Sequence, residues 1–140
     1  MNTNQTCSDS KKMIWTGRIL SGLSALFLLF DGAMKLVKPA PVVEATSRLG
    51  FPESALTGVG IVLLACTILY LIPRTAVLGA ILLIGYLGGA VAIQVRAGSS
   101  AFETLFPAIF GALVWTGLFL QDGRLRALIP MQPRSEQKPD

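Results

Sequence analysis

The sequence predicts an all-α integral membrane four-helix bundle, with both termini in the cytoplasm and a short interfacial helix between spans one and two. Three observations predict it. Charge is scarce: 14% of the residues are Asp, Glu, Lys or Arg and 52% are hydrophobic, where a soluble domain carries about 25% charged residues. The mean hydropathy is +0.61, so most of the surface is suited to lipid. Four apolar runs reach or approach the ~20 residues that cross a ~30 Å hydrocarbon core. The runs also lack alternation of apolar and polar residues, and an open sheet cannot satisfy its edges in lipid.

The chain of 140 residues reads as one domain. Residues 1–13 are expected to form a polar cytoplasmic tail, 14–130 the membrane domain and 131–140 a disordered cytoplasmic tail. Span one covers about 19–37, ILSGLSALFLLFDGAMKLV. Lys11 and Lys12 before an apolar run resemble the start of a signal peptide, but no A-x-A site follows Phe30. The connection at 38–54 holds Pro39, Pro41 and Pro52. Within it VVEATSRL suits a short helix, started by Pro41 and ended by Gly50. Glu44 and Arg48 support it at i, i+4. This helix reads as an interfacial connector, or more sharply as a lid over a site.

Span two covers about 55–72, and IPRT (72–75) makes a tight hairpin into span three, about 75–95. RAGSSA (96–101) turns into span four, about 102–120. Orientation follows from the cations. Lys11, Lys12, Arg18, Arg74, Arg124, Arg126, Arg134 and Lys138 share one side. Lys38, Arg48 and Arg96, with Lys35 close by, mark the other. Positive-inside then places both termini in the cytoplasm. Trp15, Tyr70 and Trp115 fall near the cytoplasmic ends, as an aromatic belt does. The net charge of +4 calls for no nucleic acid, because the cations flank spans.

The chain has no histidine, and its cysteines, Cys7 and Cys66, form no CxxC pair. These absences argue against a zinc site, a bis-histidine haem and an internal thiol relay. Small residues mark where helices approach, since lipid gives them no hydrophobic reason to associate. Span three has Gly85 and Gly89 in GxxxG spacing with Gly88 beside them. Span four has Thr104, Ala108, Ala112 and Thr116, and span one has Gly17, Ser21 and Ala25. Contacts within one bundle are expected first, with an oligomer face as the alternative.

The polar residues collect at one depth. With Ile19 at the cytoplasmic start, Asp31 lies about 18 Å up and Lys35 about 24 Å. Gln94 and Arg96 end span three, and Glu103 starts span four on the same side. Charges there are expected to be paired and turned inward. Asp31 and Lys35 sit at i, i+4, and Glu103 has Arg96 or Lys35 within reach. Pro107 cannot donate to the carbonyl of Glu103, so a kinked first turn is expected. Two readings stay open. One is an ion-pair network that sets helix register and lets Lys35 snorkel. The other is an outward-opening pocket floored by Phe27, Phe30, Met34, Tyr86 and Phe106. Its ligand-binding residues would be Asp31, Lys35, Gln94, Arg96, Glu103 and Tyr86, and its shape suits an amphiphile such as a quinone.

LFDGAMKLVKPAPVVEATSRLGFPES, the P-x-R-T turn and GYLGGAVAIQVR together resemble the DoxX-like membrane proteins over about residues 16–130. The resemblance implies a four-helix protein of the bacterial cytoplasmic (inner) membrane. It also implies an association with membrane redox complexes, since DoxX takes its name from a subunit of a thiosulfate:quinone oxidoreductase. Relatives often carry a histidine where this chain has Gln94, and glutamine cannot shuttle a proton near neutral pH. The leading expectation is an accessory redox subunit with a quinone or lipid pocket. Catalytic residues and a covalent cofactor are not expected here, so redox chemistry would depend on a partner enzyme. The alternatives are an assembly or chaperone-like membrane subunit, with a homo-oligomer admitted, and a small transporter.

Overall fold

The structure, a computed structural model, describes residues 3–128. Its regular secondary structure is helical throughout: α1 (Thr3–Val37), α2 (Ala40–Arg48), α3 (Glu53–Leu71), α4 (Ala76–Arg96), α5 (Ala101–Gln121) and α6 (Gly123–Leu128). The helices α1, α3, α4 and α5 are each long and apolar enough to cross a membrane. The chain is a multi-pass membrane protein.

The polar stretch expected as a tail is helical from Thr3 and continuous with span one. No Gly or Pro interrupts residues 3–16, so nothing local stops the helix. The tail at 131–140 lies outside the described residues. After α1, Lys38 takes a left-handed conformation (φ 54°), and its N–H caps the Met34 carbonyl at 3.0 Å. Pro39, rather than Pro41, is the N-cap of α2. Gly50 (φ 82°) follows the end of α2 as expected, and the Phe51 N–H returns to the Thr46 carbonyl at 3.2 Å. The short helix α6 has no counterpart in the sequence reading. It starts on Asp122, whose Oδ1 accepts the Arg124 N–H at 2.9 Å, and it tucks Leu125 into the core.

The four long helices form a ring. α1 packs on α3 and α5, and α4 packs on the same two helices from the opposite corner. The connections at 72–75 and 97–100 are short and the one at 38–52 carries α2 on the way back, so neighbours run antiparallel. The C-terminal end of α1, the start of α3, the end of α4 and the start of α5 therefore meet at one end, together with α2. The core runs through Ala25, Leu28, Leu63, Cys66, Leu83 and Val114.

The end opposite α2 is tightly closed. Tyr70 donates its hydroxyl to Ser21 Oγ at 2.7 Å and lies 3.0 Å from the Val114 carbonyl. Gln121 Nε2 donates to the carbonyls of Gly17 and Gly117, each at 3.0 Å. These bonds join α1, α3 and α5. The Thr75 hydroxyl donates to the Leu69 carbonyl at 2.8 Å, and the hairpin it braces brings α4 onto the last turn of α3. There a Cβ added to Gly79 would lie 2.2 Å from the Tyr70 nitrogen. One added to Gly117 would lie 2.4 Å from Ser21 Oγ, and one added to Gly17 would lie 3.0 Å from the Gly117 carbonyl.

The expected stripe of Gly17, Ser21 and Ala25 is therefore an interhelical contact. The other two stripes need correction. Gly85, Gly88 and Gly89 have nothing within 4 Å of an added Cβ, so they pack against no neighbour in the bundle. On α5, Ala108, Ala112 and Thr116 are exposed, and the buried face is Val114, Gly117 and Leu118. Val114 stands two residues, about 200° of helix rotation, from both Ala112 and Thr116. The bonds of Gly117 and Gln121 set that rotation.

Gly79→Ala is expected to destabilise the protein by about 1–3 kcal/mol or more, because backbone must move. Gly85→Ala is expected to stay within about 1 kcal/mol of the parent. Denaturing-detergent titrations of the two variants compare them directly, and equal losses would contradict this packing. In the same titration, Tyr70→Phe is expected to cost roughly 0.5–1.5 kcal/mol.

Candidate functional site

The α2 end holds a cavity of about 690 Å³, within the ~300–1,000 Å³ range of small-molecule pockets. Each long helix supplies one wall. On α1, Phe27, Leu28, Asp31 and Lys35 line it, a set spaced at about one helical turn. On α4 the lining residues are Gly85, Tyr86, Leu87, Gly89, Ala90, Ile93 and Gln94. Gly85 and Gly89 have no side chains to fill the space, which is why the GxxxG face makes room here instead of contact. α5 adds Phe102, Glu103, Phe106, Pro107 and Phe110, and α3 adds Ala55, Leu56 and Val59. Thr46 of α2, with Leu49 and Phe51 just beyond it, completes the enclosure.

The apolar wall has an aromatic spine. The rings of Phe27 and Phe110 stack at 4.4 Å between centroids and 26° between planes. Phe106 meets Phe27 edge-on at 5.5 Å, and it lies tilted against Phe110 at 4.9 Å and against Phe102 at 6.1 Å. Offset and edge geometries of this kind are favoured by the ring quadrupoles, and they join α1 to α5 beside the cavity.

Five of the six residues named from the sequence share this cavity: Asp31, Lys35, Tyr86, Gln94 and Glu103. Arg96 does not. It is exposed in the last turn of α4, about 200° around the helix from Gln94. Of the expected floor, Phe27, Tyr86 and Phe106 line the wall. Phe30 points away and is 62% exposed, and Met34 is absent from the lining. Phe102, Phe110 and Phe51 were missed. The first two lie one turn either side of Phe106, so the helical period alone carries their signal.

Lys35 Nζ contacts Asp31 Oδ2 within the same helix, as the spacing predicts. The Glu44–Arg48 pair of α2 also forms, at 3.8 Å and largely in the open. Among the described residues these are the ion pairs, and neither links two helices. The expected pairing of Glu103 with Arg96 or Lys35 is therefore corrected. Glu103 closes a capping box at the start of α5. Its Oε2 accepts from Ser100 N and Oγ, each at 3.0 Å, while Ser100 Oγ accepts the Glu103 N–H at 3.3 Å. The S-x-x-E spacing at 100–103 is the sequence signature of that cap. Downstream of it α5 continues through Pro107 as one helix to Gln121.

Chemically, the site offers an apolar, aromatic enclosure with a few polar groups at its α2 side. It resembles a receptacle for an amphiphile, with no nucleophile–base arrangement on its walls. No curated protein and no solved structure matches the chain significantly. The sequence model of the DoxX-like family matches residues 19–117, from the first span through most of the fourth, and the chain belongs to that family.

Proposed function

We propose that this protein binds a quinone, or a lipid of similar build, as an accessory subunit of a membrane redox system. A catalytic partner would carry the electron-transfer centre. The observation that supports this reading is the 690 Å³ cavity itself. It combines an aromatic wall for a planar ring and an apolar tail with Asp31, Lys35, Tyr86 and Gln94 for a polar head. The cation distribution supports a topology with both termini in the cytoplasm. In that topology the α2 end, with its cavity, lies in the outer leaflet of a bacterial inner membrane, and α2 contributes Thr46 to the lining.

A second reading, an assembly subunit for another membrane protein, draws on a different face. Gly88, Ala108 and Ala112 line a shallow groove between α4 and α5 on the outside of the bundle. Small residues there let a foreign helix come close. Cross-linking in native membranes that yields only monomer argues against it.

The cavity-filling variant Gly89→Leu tests the first reading. Nothing lies within 4 Å of an added Cβ at this position, so the bundle is expected to keep its stability. Quinone co-purified from quinone-replete membranes is expected to fall by about tenfold or more, the loss that follows when ~1.4 kcal/mol of binding is removed. Parent protein that carries no quinone from such membranes would sink the proposal.

A further inference from the structure

We infer that the cavity selects an uncharged head group, and that Asp31 makes it selective by occupying Lys35. The inference rests on the reading of the cavity as an amphiphile site. The charges on its walls are Asp31, Lys35 and Glu103. Lys35 is the only cation among them, and its ammonium already contacts the Asp31 carboxylate. The lysine side chain is 20% exposed and the aspartate 40%, so the cation is the more enclosed member of the pair. Glu103 is engaged by Ser100 at the helix cap. The wall charges sum to −1, and no cation is left without a counter-ion.

The pair has little other work to do. Both partners belong to α1, so their bond sets no register between helices. The bundle is tied at its other end by neutral groups, Ser21, Tyr70 and Gln121. A selective role fits the surroundings. Membranes contain lipids with anionic head groups, and these compete for a cation in any cavity open to the bilayer. A bare ammonium in an apolar enclosure would hold such a head group by a charge-assisted hydrogen bond. With Asp31 in place, an anion must displace the carboxylate or sit beside a wall that is net negative. A neutral head group only needs to hydrogen-bond to what is there, including Tyr86 and Gln94 on the facing α4 wall. Selectivity of this kind comes from penalising the wrong ligand as much as from holding the right one.

Photo-crosslinking of the full-length protein in phosphatidylcholine nanodiscs tests this. The probes are a long-chain alcohol and an alkyl sulfate of equal length, each with a diazirine in the tail. Labelled peptides that contain Tyr86 or Phe106 report cavity occupancy. The parent protein is expected to favour the alcohol. Asp31→Asn is expected to raise sulfate labelling relative to alcohol by about tenfold, the factor that one charge-assisted hydrogen bond supplies. The double variant Asp31→Asn, Lys35→Gln is expected to lose that gain, which separates a freed ammonium from a general loosening of the fold. Cavity labelling whose sulfate-to-alcohol ratio is the same in parent and Asp31→Asn overturns this inference alone. So does an Asp31→Asn protein that no longer folds, if Lys35→Gln with Asp31 intact labels with the sulfate as readily as with the alcohol. An absence of cavity labelling by either probe overturns the amphiphile site as well.

Discussion

The hydroxyl of Tyr70 and the amide of Gln121 hold one end of this bundle shut, and the rest of the structure depends on that closure. Within lipid, apolar side chains gain nothing by turning inward, so helix association rests on close backbone packing and on polar groups that find partners inside. Here the two devices work at one end. Gly17, Gly79 and Gly117 bring backbones together, and Ser21, Tyr70 and Gln121 bond between α1, α3 and α5 beside them. Because one end is anchored, the other is free to be less well packed.

The α2 end uses that freedom. α1 and α3 remain close there through Gly32 and Gly60, where an added Cβ on Gly60 would meet the Gly32 carbonyl at 3.2 Å. α4 instead turns bare glycines towards the interior, and the resulting space is walled by phenylalanines from α1 and α5. Asp31 and Lys35 stand at this space as a self-neutralised couple. Such a pair is tolerable at membrane depth because each charge has its partner one turn away. It leaves an enclosure that is apolar in its body and polar at its α2 side.

Much of this architecture was legible in the chain. The four spans, the α2 helix and the couples Asp31–Lys35 and Glu44–Arg48 all follow from local spacing. Asp31, Lys35, Gln94 and Glu103 share one cavity, as their common depth implies, and Tyr86, read as part of its floor, lines it too. The capping box at Ser100 and Glu103 is equally local, and its S-x-x-E spacing prevails over longer-range partners such as Arg96. Arg96 shows the limit of depth as a guide. It shares its level with Gln94, but two residues of helix rotation carry it to the outside.

The sequence by itself determined where the chain crosses the membrane and which charges meet within one helix. Both are properties of a single helix: hydrophobic length, and residues one turn apart. Only the tertiary structure decided which glycines touch and which stand open, and which phenylalanines share a wall. It also decided whether Glu103 looks across the bundle or back along its own helix. Those outcomes depend on the rotation of each helix about its axis. In a soluble protein an apolar stripe announces that rotation. In a helix apolar on every face it is set by contacts such as Gly79 on Tyr70 and Gln121 on Gly17, which appear only once the helices are brought together.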